Sequence, residues 1–256
     1  MINAHHVGCC TRAQIADREA AIASQQTAFA AILFDMDGSL VDTEPIWYDA
    51  EVDVMATYGT RWTPEDQQHT IGGPWLRVGT YMASRLASQG GPQLPPQRLW
   101  DELQQAFSRH LDSGHIAVYD GAEALLNEAM AAGLPLALVS NSTRELMDKV
   151  LAAHRRFRFD VTIASDEVTN GKPHPEPYLE AASRLGVPIE RCLVVEDSPN
   201  GVAAARDSGA AVVAVAHVAA VDPGPRGIVV DSLAGFTLDE LARRIPGVAT
   251  EGELLE

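Results

Sequence analysis

AILFDMDGSLVDTEP, residues 31–45, is a short apolar run that stops at two aspartates, Asp35 and Asp37, with Gly38 placed to turn the chain. In an extended segment residues i and i+2 project from one face, so both carboxylates can point into the space beyond the strand's carboxyl end. That space is where open α/β sheets bind their ligands. Two acids so close repel one another, and the arrangement wants a cation, a shared proton, or both. Phosphoryl transfer suits such a pair: one carboxylate attacks phosphorus, the other handles the leaving-group proton, and Mg²⁺ screens the charges. A strand ending in a solvated acidic turn has the same pattern, whereas an EF-hand loop needs its glycine at the sixth position and Gly38 is at the fourth. A phosphate clamp and a second acid pair further along would separate the first two readings.

The chain has 256 residues, 46% hydrophobic and 21% charged, enough for a full core and a second module. No apolar run approaches the ~20 residues of a membrane span, so no membrane partner is expected. Residues 1–28 hold no apolar signal-peptide core, and the expectation is a poorly ordered extension with at most a weak alanine-rich helix over 13–25. A formal net charge of −16 argues against nucleic acid as a partner. It also means that an anionic substrate must be met locally, by a metal, a lysine and backbone amides. Cys9, Cys10 and Cys192 make neither a disulfide framework nor a zinc spacing, which fits a reducing cytoplasm, with Cys192 expected as a small buried hydrophobe. Oligomeric state is left open by the sequence, with a monomer as the working expectation.

From residue 46 to 118 the pattern is helical, a bundle of about four helices that holds all four tryptophans, Trp47, Trp62, Trp75 and Trp100. Thr63-Pro64-Glu65-Asp66 supplies a cap, a first-turn proline and first-turn acids. Most of the tryptophans are expected to pack between helices. The loop His69-Thr-Ile-Gly-Gly-Pro-Trp75 is the stretch best suited to approach a ligand, because paired glycines precede a proline-started helix.

From Tyr119 onward strand and helix alternate. The apolar run at 136–139 reads as a strand buried on both faces and those at 161–164, 192–195, 212–215 and 228–230 as further strands, and the helices between them imply a doubly wound, Rossmann-like parallel sheet. Capping boxes are expected at Asp120/Glu123 and at Ser142/Glu145. The expected organisation is an α/β core over 29–44 and 119–246, a helical cap over 45–118 inserted after the first strand, and an acidic tail over 247–256.

Three further stretches fall at strand ends. Ser140-Asn141-Ser142 offers a hydroxyl and the free amides of a helix start, which can cradle phosphate or simply cap the helix. Lys172 lies in Asn-Gly-Lys-Pro-His-Pro, where flanking prolines stiffen the loop and aim the ammonium. Glu196-Asp197 follows its strand as Asp35 follows the first, so a second acid pair can complete an oxygen-ligated Mg²⁺ site. His174 is expected to be a loop hydrogen-bonder. No P-loop, Rossmann glycine motif or nucleophile elbow occurs.

In this order FDMDGSLVDTEP, LVSNS, GKPHPEPY and VVEDSPNG resemble the haloacid dehalogenase-like superfamily, over about residues 29–235, and the inserted helices resemble the cap of its β-phosphoglucomutase-like subgroup. DTEPIWYDAEVDVM is most similar to bacterial sugar-phosphate phosphatases acting on 2-deoxyglucose 6-phosphate and related hexose or hexitol phosphates. The resemblance implies Asp35 as nucleophile, through an aspartyl-phosphate, and Asp37 as general acid and then base with its backbone carbonyl on Mg²⁺. It implies Ser140, Asn141 and Lys172 as phosphate ligands, and Asp35, Asp37, Asp197 and Glu196 around the metal, Glu196 directly or through water. Trp47, His69, Trp75 and Arg77 are candidate cap contacts to a small phosphorylated metabolite. A mutase moving phosphate within a sugar is the alternative, although β-phosphoglucomutases carry a histidine at the position of Trp47 and a cap arginine near that of Trp75. A non-catalytic sensor is the third. Dehalogenases lack the second aspartate, so Asp37 argues against that chemistry.

Overall fold

The computed structural model describes residues 28–71, 73–113, 116–215 and 221–248. The N-terminal extension up to residue 27 with Cys9, Cys10 and the 13–25 helix, Gly72 of the glycine loop, and the acidic tail beyond Val248 lie outside the described residues.

In chain order the strands are β1 (Ala31–Asp35), the short β2 (Val41–Asp42) and β3 (Ala117–Val118), then β4 (Leu136–Val139), β5 (Val161–Ile163), β6 (Cys192–Glu196), β7 (Ala211–Val215) and β8 (Gly227–Val230). Among the described residues six of them form one sheet of order β5-β4-β1-β6-β7-β8, with every neighbouring pair parallel. β1 is central, and all five of its residues are buried. The chain runs outward from β1 to β4 and β5 and then returns to β6 on the other side. The carboxyl end of β1 therefore sits at the reversal of strand order, where such sheets bind ligands.

Strand periodicity sorts the core into two layers. Ile32 and Phe34 pack with α5 (Asp120–Ala131), α6 (Arg144–Ala153) and α9 (Leu238–Arg244). Ala31 and Leu33, with Cys192 and Val194 of β6, pack on the opposite face with α7 (Glu176–Leu185) and α8 (Pro199–Ser208). Continuing the second register one step places Asp35 and Glu196 on the α7/α8 side of the rim. Cys192 is buried in that layer as the sequence implies.

Four helices lie between β2 and β3: α1 (Glu44–Thr57), the single turn α2 (Pro64–Gln67), α3 (Trp75–Ser88) and α4 (Pro96–Ser113). Val54, Met55, Val78, Met82, Leu86, Leu99, Leu103 and Phe107 form their interior. The expected Thr63 cap is present, with a reciprocal Thr63–Asp66 box. β2 and β3 pair antiparallel, Val41 opposite Val118, and carry the chain out to these helices and back. Two residues per strand are too few for a period to register, so this ribbon has no counterpart in the sequence reading.

Two expected capping boxes are absent. At α5 the cap position is Tyr119 without a side-chain cap, and Glu123 instead accepts from Arg156 at 2.7 Å. At α6 the cap position is Thr143; the Ser142 hydroxyl is turned into the site, Glu145 accepts from Ser108, and Asp166 Oδ1 accepts the Arg144 N–H at 2.9 Å. In both places a charge or acceptor from elsewhere in the fold outcompetes the local box.

Candidate active site

The registers of β1 and β6 bring Asp35 and Glu196 to one corner of the rim, and the loop before α7 delivers Lys172 between them. Lys172 Nζ donates to Asp35 Oδ1 at 2.5 Å, to Glu196 Oε1 at 2.6 Å and to the Val139 carbonyl at 2.9 Å. Its side chain is 2% exposed, so a buried ammonium has all three hydrogens matched to acceptors. Burial works against that charge, but the two carboxylates outweigh it and hold Lys172 above the usual lysine range. For Asp35 burial and Glu196 outweigh the opposing lysine, and its carboxyl is pushed well above the usual range.

Carboxylate oxygens of Asp35, Glu196 and Asp197 lie within 4.8 Å of one another. Burial and Glu196 push Asp197 up to about 8. Three acids beside a single ammonium leave an excess of negative charge, and an all-oxygen set of this kind fits a hard divalent cation such as Mg²⁺. The acids are not equivalent. Glu196 Oε1 accepts from Lys172 and from the Tyr178 hydroxyl at 2.8 Å, while Oε2 accepts the backbone N–H groups of Asp197 and Ser198 and the Ser198 hydroxyl. Among the described residues nothing donates to Asp35 Oδ2, and Asp197 receives only the Ser39 hydroxyl, at 3.2 Å. Asp35 and Asp197 thus keep ligating capacity that Glu196 has given to hydrogen bonds.

Two glycines hold this geometry. Gly38 has φ +87°, and a Cβ there would run into the Asp197 carboxylate. A Cβ on Gly201, in the first turn of α8, would run into the Glu196 carboxylate.

Asp37 has a different environment. Its Oδ1 accepts from Thr43 at 2.8 Å, and its Oδ2 from Ser140 at 3.1 Å and Ser142 at 3.0 Å. Burial raises its pKa and the three hydroxyls oppose the rise. The Asn141 amide is bound to the backbone of Lys172, accepting its N–H at 3.0 Å and donating to its carbonyl at 3.1 Å. That bidentate clamp fixes the lysine loop. His174 accepts the Glu176 N–H at 3.2 Å, the loop role expected of it.

The helices between β2 and β3 present fewer fixed groups. Trp47 stacks on Phe107 and Trp100 of α4. His69 is exposed and stacks on Tyr81. Trp75 is 43% exposed at the start of α3, and Arg77 donates to the Ile71 carbonyl at 2.7 Å. Glu44, in the first turn of α1, is pushed up to about 7 by burial and by Asp37.

Sequence reasoning missed Ser39, Thr43, Ser142 and Tyr178 as members of the site. Thr43 and Ser39 stand inside the first motif and Tyr178 inside the third, but nothing in a linear pattern tells a hydroxyl aimed at a carboxylate from one facing solvent.

A doubly wound sheet whose central strand ends in an acid pair, joined at the rim by a buried lysine and a second acid pair, is the arrangement of a hydrolase site at the switch point of an α/β sheet. The chain belongs to the haloacid dehalogenase-like hydrolase family, whose model matches residues 32–215, and within it to the phosphoric monoester hydrolases. It is 32% identical to a phosphorylated carbohydrates phosphatase of Thermotoga maritima over 70% of this chain and 81% of that one. It is 34% identical to hexitol phosphatase B of Escherichia coli, over 69% of this chain and 78% of that one. CbbY of Rhodobacter sphaeroides, solved in complex with phosphate, superposes with a TM-score of 0.67 at 29% identity, covering 83% of this chain and 99% of the other. Against a longer relative, a bifunctional riboflavin kinase/FMN phosphatase of Arabidopsis thaliana, the chain spans 48% of the length.

Proposed function

We propose that this chain is a Mg²⁺-dependent phosphatase of a small phosphorylated metabolite, a sugar or polyol phosphate, working through an aspartyl-phosphate on Asp35. The observation that carries the reading is the Lys172 ammonium bridging Asp35 and Glu196 at the carboxyl ends of β1 and β6. Asp35 and Asp197, with the backbone carbonyl of Asp37, would hold the ion and Glu196 stands beside them. When bound, Mg²⁺ offsets the carboxylate charge and draws electron density from a phosphate oxygen.

The remaining work falls to the chain. Lys172 and the hydroxyls around Asp37 orient the phosphate. An Asp35 oxygen forms a bond to phosphorus as the bond from phosphorus to the ester oxygen breaks, and Asp37 gives its proton to the departing alkoxide. Asp37 then takes a proton from a water that attacks the aspartyl-phosphate; the bond between phosphorus and Asp35 breaks, and inorganic phosphate and the free carboxylate result. The carbohydrate and hexitol phosphatases among the relatives support a polyhydroxy leaving group.

A screen of phosphorylated metabolites for Mg²⁺-dependent phosphate release tests the reading. Turnover is expected on hexose or hexitol monophosphates, and no release from any monoester would overturn it. Incubation with β-glucose 1-phosphate and a trace of the bisphosphate separates hydrolysis from the mutase alternative: a phosphatase yields free phosphate, a mutase glucose 6-phosphate.

A further inference from the structure

Tyr178 lies in the first turn of α7 and is fully buried. Its neighbours in that layer are Ala31, Leu33, Ala181 and Val194, a setting in which a phenylalanine would fill the same space. The hydroxyl is what distinguishes it, and a buried hydroxyl needs a partner. The partner is Glu196 Oε1, at 2.8 Å, the same oxygen that accepts from Lys172. The ring faces the lysine as well, its centroid 4.9 Å from Nζ.

We infer that Tyr178 is a positioning residue for phosphoryl transfer, acting through Glu196 to fix the Lys172 ammonium against Asp35. The inference rests on the reading of the site given above. Of the acceptors around Nζ, the Val139 carbonyl belongs to the sheet and is immobile, and Asp35 is the group that reacts. Glu196 therefore decides where the ammonium stays while Asp35 changes partners. Its Oε2 is fixed by two backbone amides and the Ser198 hydroxyl. Without Tyr178, Oε1 would answer to the lysine alone and would follow it when an incoming phosphate draws the ammonium forward. With the phenol bound, Oε1 is anchored from a second direction. The ring also covers one flank of the ammonium, where its π face favours the charge and excludes water.

The test uses the full-length protein with Mg²⁺, p-nitrophenyl phosphate as substrate, and orthovanadate and inorganic phosphate as ligands. Tyr178→Phe removes the hydroxyl alone. Its melting temperature should match the wild type, kcat should fall on the order of 10-fold and KM should stay within about twofold, as for a lost hydrogen bond to a charged group felt in the transition state. Orthovanadate, which adopts the geometry of the transition state, should bind weaker by the same factor while phosphate binding barely changes. Tyr178→Leu, which also removes the ring, should lower kcat further. In a Glu196→Ala background, where the acceptor of the phenol is gone, Tyr178→Phe should add nothing. Wild-type kcat and vanadate affinity in Tyr178→Phe, or a loss of both that only tracks a lowered melting temperature, would overturn the inference and leave the phosphatase reading standing. A wild-type protein that neither turns over nor binds vanadate would overturn both.

Discussion

Two groups of acids, one at the rim of the sheet and one among the helices between β2 and β3, differ in what lies opposite them. At the rim Asp35, Glu196 and Asp197 face a single ammonium and carry more negative charge than it can balance. Among the helices Asp66 is fully answered: burial works against its charge, but Arg85, Tyr81 and Thr63 outweigh it and hold its carboxyl below the usual range. Glu51, on α1, has neutral donors, accepting from Trp62 Nε1 at 2.9 Å. A balanced acid is a structural tie, and a group of acids short of positive charge is a place for chemistry. The two regions should therefore respond to substitution in opposite ways, through rate at the rim and through stability or substrate preference elsewhere.

The sharpest division comes from Asp35→Asn. Turnover should fall by on the order of 10³-fold or more while the fold is retained, because the amide cannot form the phosphoryl ester. Measured phosphate release close to wild type would remove Asp35 from the chemistry.

Lys172→Ala should cost on the order of 10²-fold in kcat, the size of effect seen when a preorganised donor is removed. It also leaves three carboxylates together with no internal cation, so the protein should melt lower in chelator than in Mg²⁺ by a wider margin than the wild type does. An unchanged margin would mean that the acids do not sense one another, and the contrast between the two regions would fail. Gly201→Ala tests the same corner by bulk rather than charge. The added methyl meets the Glu196 carboxylate, and about a 10-fold loss of kcat is expected, an overpacking cost of about 1–3 kcal/mol being enough to displace it. Steady-state rates of that variant at wild-type level would show that Glu196 can shift freely.

The two regions also differed in how far they could be read from the chain. The β1 and β6 runs, each an apolar stretch ended by acids, announce a buried parallel strand with its functional end, because burial on both faces and a charged stop leave few other readings. Tyr178 gave no such sign. At its position in α7 an aromatic is needed for packing, and the hydroxyl becomes meaningful only when β6 is laid beside it. Ser142 carried a positive but misleading sign, since its spacing to Glu145 satisfies a capping box. Asp37 competes for the hydroxyl from 105 residues away in the chain, and local spacing holds no information about that. Among the helices, Trp62 and Trp75 fall in one aromatic-rich segment, yet the first is buried at 5% exposure and the second is 43% exposed. Trp62 precedes α2 and has no helix period, and Trp75 is the first residue of α3, so periodicity does not separate them.

Trp75→Ala should leave kcat on p-nitrophenyl phosphate untouched and change KM for the best sugar phosphate by less than about 10-fold, since an exposed side chain contributes little to stability. A collapse of kcat on the small aryl ester would move Trp75 from substrate preference to the chemistry itself.

The smallest effect on rate belongs to Glu51, and it is a matter of pH. Burial pushes its carboxyl from an ordinary 4.5 up to about 7, against the hydrogen bonds from Thr70 and Trp62. The folded protein therefore binds a proton here that the unfolded chain releases near 4.5. Between those two values the folded state holds more protons than the unfolded one, so stability falls as pH rises through the window and the loss is complete above about 7. Glu51→Gln keeps the acceptor for Trp62 and removes the titration. It should melt at about the wild-type temperature at pH 5, where Glu51 is already largely protonated in the folded state, and higher than the wild type at pH 8. Thermal denaturation at the two pH values checks this, with turnover expected to be the same in both proteins. A variant no more stable at pH 8 than at pH 5, relative to wild type, would mean that Glu51 has a positive partner after all. The contrast drawn between an answered and an unanswered acid would then not apply within these helices.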